Sequence, residues 1–111
     1  MNDFNDYQKK ALTTAKSKGD ELKDIMHWVL GVNGEAGEIA EKVKKIIRDK
    51  DGVFSAEDKQ QIAGEIGDVL WYLAVLSHQL GIDFEQVAAN NLKKLSDRKN
   101  RGVIGDSGDH R

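Results

Sequence analysis

The sequence of 111 residues contains no cysteine and no proline. Without cysteine, the chain cannot form a disulfide framework, a thiolate metal site or a cysteine nucleophile. The absence of proline favours long helices, because proline removes a backbone donor and clashes inside a helix. Glycine, by contrast, occurs 11 times, and a glycine in a helix interior costs about 1 kcal/mol relative to alanine. The placement of these glycines therefore needs a physical reason.

The sequence also lacks an excess of either charge and any long apolar run. It has 17 Lys and Arg against 19 Asp and Glu, for a net charge of −2. A protein that binds a nucleic-acid polymer would normally show a large basic excess. No segment approaches the ~20 apolar residues of a membrane span, and the first residues do not resemble a signal peptide. We therefore expect one soluble, cytoplasmic domain with a single core.

Four segments carry apolar residues at helical spacing, and none alternates in the manner of a strand. The first two cover roughly residues 2–18 and 21–50, with a candidate kink at residues 31–34. The third follows Ser55, whose side chain and that of Asp58 resemble a capping box, and it stops at Gly81. The fourth begins after Asp83, a good N-cap. The predicted core stripe of the second segment is Ile25, Trp28, Val32, Ile39, Val43 and Ile46, and that of the third is Ile62, Ile66, Val69, Leu73, Leu76 and Leu80. The pattern predicts an all-α four-helix bundle over residues 1–99, followed by a polar, glycine-rich tail at residues 100–111.

One five-residue pattern, G-E-x-G-acid, occurs at residues 34–38 and again at residues 64–68. In each copy the two acids are three residues apart, about 60° on a helix, so they project from one face. The midpoint between the copies falls at Asp51 and Gly52, where the sequence has turn chemistry. An antiparallel helix pair folded there places the two motifs side by side. Four carboxylates are then expected to converge, namely those of Glu35, Glu38, Glu65 and Asp68.

The motif glycines have a role in this arrangement, because small residues let two helix backbones approach closely. We therefore expect close approach at Gly34, Gly37, Gly64 and Gly67.

A solvated acidic face is the alternative interpretation of these acids. It suits Glu41, which has Lys44 and Lys45 three and four residues further along. Glu35, Glu65 and Asp68 instead have no Lys or Arg at those spacings, and Glu35 and Glu65 border the apolar stripe of their helices. Clustered carboxylates repel one another unless a cation intervenes. Hard oxygen ligands suit Mg²⁺ or Mn²⁺, and protein-bound Mg²⁺ usually carries phosphate groups of a substrate. The pattern thus indicates a metal site that takes a phosphate ester.

The sequence GEAGE, followed 30 residues later by GEIGDVLWYL, resembles the paired acid motifs of the MazG-like nucleoside triphosphate pyrophosphohydrolases. These enzymes belong to the all-α NTP pyrophosphatase superfamily. The similarity runs from about residue 27 to the C-terminus and includes the N-x-x-K motif at residues 91–94. It implies Mg²⁺-dependent cleavage of a (d)NTP between the α- and β-phosphates, giving a monophosphate and pyrophosphate. It also implies a homodimer or homotetramer.

The resemblance assigns roles to individual residues. Glu35, Glu38, Glu65 and Asp68 would bind Mg²⁺, with Mn²⁺ able to substitute. Glu38 is our choice of general base, although the sequence does not separate ligand from base. The residues expected to contact phosphates are Asn91, Lys94 and Arg98. Tyr72 shares the Glu65 side of its helix and is expected to line the substrate pocket. His27 is either a pocket residue or a solvated neighbour of Asp24. The charged tail suggests that Arg101, Asp109 and Arg111 fold over the substrate.

Two other interpretations compete with this one. A non-catalytic helical binding or oligomerisation module would use its acids only for solubility, and would show neither hydrolysis nor a metal effect. A di-iron carboxylate bundle requires Glu-x-x-His motifs, which the sequence lacks. Within the superfamily, phosphoribosyl-ATP pyrophosphohydrolases and dUTPase- or dCTPase-like enzymes share the acid motifs. The preferred base and sugar stay open at this point.

Overall fold

A computed structural model describes residues 3–102, which form four α-helices. Their bounds are α1 Phe4–Ala11, α2 Glu21–Lys50, α3 Ala56–Gln79 and α4 Phe84–Asn100, with a 3₁₀ turn at Leu12–Thr14. This confirms the all-α prediction. None of the described helices is both long enough and apolar enough to cross a membrane.

The long helix α2 and its terminal turn follow the sequence closely. The Asp20 side chain caps its start by accepting a hydrogen bond from the backbone N–H of Lys23 at 3.1 Å. The helix continues through residues 31–34 without an interruption. It ends where Asp51 and Gly52 adopt left-handed conformations, with φ of 52° and 75°. The predicted turn is thus confirmed at this position.

The helices after the turn begin with the predicted caps. Ser55 and Asp58 form a full capping box, each side chain accepting from the backbone N–H of the other residue. Asp83 caps α4 by accepting from the N–H of Gln86 at 3.1 Å. These caps satisfy backbone donors that have no partner within the helix.

Helices α2 and α3 form the central antiparallel pair. Lys50 contacts Asp58 near the turn, and the Trp28 indole donates to Gln79 at the far end. Between them lie the paired motifs. The folding of this pair places residues that are far apart in sequence along one shared groove.

Helix α1 packs across α3 and the start of α4. The Gln8 amide donates to the carbonyl of Ala74 at 2.9 Å, and Phe4 meets Phe84 edge to face at 5.4 Å. The predicted first helix was too long, because the regular helix ends at Ala11. The loop that follows is instead fixed by Asp24, whose buried carboxylate accepts from the Ser17 hydroxyl and the Lys18 N–H.

The apolar core of the described chain is small. The buried hydrophobic residues are Ala11, Trp28, Ile46, Ala74, Val75 and Phe84. Trp28 and Ile46 confirm the stripe predicted for α2. The stripe predicted for α3 was partly wrong, because Ile66, Leu73 and Leu80 are exposed. Many large apolar side chains of the described chain thus lie at its surface.

Candidate metal centre

Three carboxylates from the two motifs converge across the α2–α3 groove. Ligand oxygens of Glu35, Glu65 and Asp68 all lie within 4.8 Å of one another. Glu35 and Glu65 are half-buried, and Asp68 is exposed. Such a group offers hard oxygen ligands from two helices with one side open to solvent, which is the donor set that Mg²⁺ or Mn²⁺ takes in proteins. We call these three residues the acidic triad.

The acidic triad carries uncompensated negative charge. The pKa of Glu35 is raised, first by a side-chain hydrogen bond with the carboxyl of Glu65 and then by burial. The negative charges of Glu65, Asp68 and Glu38 raise the pKa further. No amide, hydroxyl or ammonium donor of the described residues reaches the buried Oε2 of Glu65. A buried carboxylate oxygen without a donor fits a metal ion, which would supply the missing positive partner.

Glu38 lies beside the acidic triad rather than within it. It is exposed on α2 and does not belong to the group of three whose oxygens approach within 4.8 Å. Its charge nevertheless acts on Glu35 and raises the pKa of that carboxyl. Glu38 therefore borders the cluster on its solvent side.

Tyr7 on α1 also lies near the acidic triad. Partial burial raises the pKa of its phenol, and the negative charge of Asp68 raises it further. Sequence reasoning missed Tyr7, since only its spacing from Phe4 and Ala11 placed it on the packed face of α1. Nothing in that spacing indicates which helix α1 contacts. The contact depends on how α1 packs on α3.

Four aromatic rings cluster at one end of the groove. His27 stacks on Trp28 with centroids 4.7 Å apart, and Trp71 meets Tyr72 edge to face at 5.0 Å. His27 and Tyr72 also meet, at 6.2 Å. Trp28 is buried, as predicted for a core residue, whereas His27 is exposed. The hydrogen bonds from Ser17 and Lys18 lower the pKa of Asp24 most, and the nearby His27 lowers it further. We call His27, Trp28, Trp71 and Tyr72 the aromatic cluster.

Close approach between the helices occurs at a glycine outside the motifs. A side chain at Gly31 would collide with the Tyr72 ring. An added Cβ at Gly34, Gly37, Gly64 or Gly67 would meet nothing within 4 Å. The expectation that these four glycines let α2 and α3 approach is therefore wrong. They leave open space around the acid motifs instead.

The predicted phosphate-contacting residues lie on α4, which packs on α1 and α3. Asn91 is exposed, Lys94 is half-buried and Arg98 is buried. Arg101 follows the helix and pairs with Asp97 at 2.8 Å. Asp109 and Arg111 lie outside the described residues. In the described part of the chain, α4 makes at most a minor contact with α2, so the monomer does not pack these residues against the Glu35 side of the groove.

Comparisons with known proteins agree with the resemblance. The family model for the MazG nucleotide pyrophosphohydrolase domain matches residues 21–103. The Gene 37 protein of Mycobacterium phage L5 is 48% identical over 109 residues, which cover 95% of this chain and 96% of that protein. No solved structure gives a significant match. The matched region contains both acid motifs and begins after α1.

Proposed function

Because the chain belongs to the MazG nucleotide pyrophosphohydrolase domain family, we propose that it hydrolyses a (d)NTP between the α- and β-phosphates, with Mg²⁺ held by the acidic triad. The observation that carries this proposal is the convergence of three carboxylates within 4.8 Å, one of them with a buried oxygen that lacks a donor. Bound Mg²⁺ supplies charge neutralisation for the phosphates and activation of water. Mn²⁺ has the same preference for oxygen ligands and should substitute.

Glu38 is proposed as the general base. It borders the acidic triad and is exposed, so it is available to take a proton from the attacking water. The water oxygen forms a bond to the α-phosphorus while the bond from that phosphorus to the bridging oxygen breaks. The bridging oxygen leaves with the electron pair as part of pyrophosphate, and the water proton passes to the Glu38 carboxylate. As the family resemblance implies, Glu38 is proposed also as the fourth carboxylate of the ligand set.

The assay measures pyrophosphate release from a panel of NTPs and dNTPs, with Mg²⁺ and with EDTA. We expect metal-dependent release that Glu38→Gln lowers by about 10²–10⁴-fold in kcat, the usual contribution of a general base. Glu65→Gln should remove both activity and the Mg²⁺-induced rise in Tm. Glu41→Gln is the matched control, because Glu41 is a glutamate of the same helix that pairs with Lys44 and Lys45.

The opposite result has a clear meaning. If no nucleotide releases pyrophosphate and Mg²⁺ leaves Tm unchanged, the chain is a non-catalytic helical module. Activity that survives in Glu65→Gln would instead place the metal elsewhere.

A homo-oligomer forms the second part of the proposal. The outer side of α2 exposes four large apolar side chains at helical spacing near its start, namely Leu22, Met26, Val29 and Leu30, and Ile47 is exposed on the same side near its end. Exposed apolar patches of this kind typically mark interaction sites. A second copy of the chain is the partner that the family resemblance implies, as a homodimer or homotetramer. Association would also offer the α4 residues Asn91 and Lys94 a second acidic triad to approach.

A further inference from the structure

The N-terminal ends of α1 and α4 meet and complete each other's hydrogen bonds. The backbone N–H of Phe4 donates to the Glu85 carboxylate at 2.7 Å, and the backbone N–H of Glu85 donates to the Asn5 side-chain oxygen at 2.9 Å. The Asn5 amide group donates in turn to the Asp83 carboxylate at 3.0 Å. Both backbone N–H groups lie in the first turn of their helices, where no carbonyl of the same helix can accept from them. We call Phe4, Asn5, Asp83 and Glu85 the N-terminal clasp.

The N-terminal clasp surrounds an aromatic contact and fixes the start of α4. Phe4 meets Phe84 edge to face with ring centroids 5.4 Å apart, and Phe84 is buried. Asp83 caps α4 by accepting from the backbone N–H of Gln86 at 3.1 Å. The hydrogen bond from Asn5 lowers the pKa of Asp83 most, and the one from Gln86 lowers it further. Asn5 thus stabilises the charged form of the residue that caps α4.

Helix α1 joins the N-terminal clasp to the α2–α3 pair. The Gln8 amide donates to the Ala74 carbonyl of α3, and the Trp71 indole donates at 3.0 Å to the hydroxyl of Thr14, which follows α1. Helix α4 packs on α1 and α3, whereas in residues 3–102 it makes at most a minor contact with α2. The position of α4 relative to the acidic triad therefore depends on how α1 holds it.

The placement of α4 matters because this helix carries the residues expected to contact phosphates. Asn91 is six residues after Glu85, about 9 Å further along the helix axis. Asn5 therefore acts on substrate binding only through the position of α4. The metal ligands lie on α2 and α3, so a substrate that contacts both places needs α4 held at a fixed position. This requirement is the same whether α4 approaches the acidic triad of its own chain or that of a second copy.

We propose that Asn5 is a positioning residue that holds α4, and with it Asn91 and Lys94, where these side chains can bind the phosphates of the substrate. The assignment rests on the proposed function and deepens it. Asn5 lies outside the matched family region, residues 21–103. Without the N-terminal clasp, α4 is in place for only a fraction of the time, and the apparent affinity falls by that fraction. Saturating substrate restores the placement, so the turnover rate is kept.

The test combines steady-state kinetics with hydrogen exchange of the α4 amides, both on the full chain. Asn5→Ala should raise KM for the triphosphate about three- to tenfold, keep kcat within about twofold and speed exchange in α4. The Mg²⁺-induced rise in Tm should stay unchanged, because the acidic triad lies on α2 and α3. Asn5 is exposed, so the substitution leaves the core intact. Lys9→Ala is the matched control, because Lys9 is an exposed residue of α1 outside the N-terminal clasp.

Two variants of Glu85 test the other half of the N-terminal clasp. Glu85→Ala removes the acceptor of the Phe4 N–H and should raise KM as Asn5→Ala does. Glu85→Gln keeps a side-chain oxygen that can accept this hydrogen bond, so it should retain most of the affinity. The double variant with Asn5→Ala and Glu85→Ala should raise KM by less than the product of the two single effects, because both substitutions break one clasp.

Three outcomes would overturn the assignment. They are an unchanged KM in Asn5→Ala, an equal rise of KM in Lys9→Ala, and a lost Mg²⁺ response of Tm in Asn5→Ala. If Asn5→Ala speeds exchange in α4 while the unmodified protein hydrolyses no triphosphate, the N-terminal clasp is upheld and the proposed function is rejected. Metal-dependent hydrolysis with unchanged KM and unchanged exchange in Asn5→Ala would uphold the proposed function and reject the role of Asn5.

Discussion

At the scale of single residues, the acidic triad stores electrostatic repulsion in the metal-free protein. Glu35 is surrounded by carboxylates, and each of them raises its pKa. Lys44 and Lys45 stabilise Glu41 of the same helix, whereas no Lys or Arg of residues 3–102 lowers the pKa of Glu35. The converging carboxylates destabilise the folded state in the absence of metal, and a bound divalent cation removes that repulsion and stabilises the folded state.

Glu35→Gln should therefore raise the Tm of the metal-free protein at neutral pH while it weakens the Mg²⁺-induced rise. The substitution removes one of the converging charges and keeps the shape of the side chain. Thermal unfolding with EDTA and with Mg²⁺ measures both effects. Glu41→Gln, which loses favourable ion pairs, should instead lower Tm slightly and keep the full response to Mg²⁺. A lower metal-free Tm for Glu35→Gln would show that its carboxylate stabilises the fold.

At the scale of elements, Asp58 connects the end of α2 to the start of α3. Its carboxylate binds the Lys50 ammonium, which lowers its pKa from 3.8 to about 2 together with the Ser55 hydrogen bonds. The same side chain completes the capping box of α3. A single residue thus joins the end of one helix to the start of the next.

The lowered pKa of Asp58 predicts that the stability of the fold depends on pH. Because its pKa is lower in the folded chain, it contributes stability that is fully present above 3.8 and is lost as the pH falls toward about 2. Asp58→Asn should lower Tm at neutral pH and flatten the decline of Tm over that acid range. The exposed neighbour Glu57 provides the control Glu57→Gln. If Tm falls as steeply at acid pH in Asp58→Asn as in the unmodified protein, other carboxylates cause the acid destabilisation.

Two glycines on α2 differ in the space around them: Gly31 is crowded by Tyr72, whereas Gly37 is open. Gly31→Ala should destabilise the fold by about 1–3 kcal/mol, because the added methyl group collides with Tyr72. Gly37→Ala should stabilise a single chain by up to about 1 kcal/mol, because its Cβ meets no atom and alanine favours helix. Chemical denaturation measures both values. If Gly37→Ala instead destabilises the protein, Gly37 is packed tightly against a second copy.

At the scale of the whole molecule, the described chain buries few apolar residues for its size. Its Cα radius of gyration is 16.8 Å, whereas a compact domain of this length has about 13 Å. The apolar side chains missing from the core lie on the outer face of α2 and along α3 and α4. Both observations are expected of one subunit of an assembly.

Leu30→Asp should therefore dissociate the proposed homo-oligomer. Leu30 is 64% exposed in the single chain, so a charge at this position disrupts an interface and not the subunit core. Light scattering should show a loss of mass relative to the unmodified protein. Val53→Asp is the control, because Val53 is equally exposed but lies in the turn after α2. An unmodified protein that is monomeric at micromolar concentration would contradict the prediction.

The sequence by itself determined the helices, their caps and the pairing of the acid motifs. These features depend on local hydrogen bonds, on apolar spacing and on a turn whose midpoint sets the register, so they can be derived from residues that are near one another in the chain. Asp51, Ser55 and Asp83 are examples, as is the convergence of Glu35 with Glu65 and Asp68. The resemblance to the family motifs then suggested metal-dependent hydrolysis of a nucleotide as the function of the converging carboxylates.

Only the tertiary structure decided which residues surround the site. Tyr7 lies close enough to Asp68 to feel its charge because α1 packs across α3. Gly31 rather than a motif glycine meets an aromatic ring because of the way α2 and α3 are rotated against each other. Such contacts depend on the relative rotation and position of whole helices. Helical spacing assigns a residue to a face of its own helix, but it cannot specify what that face will meet.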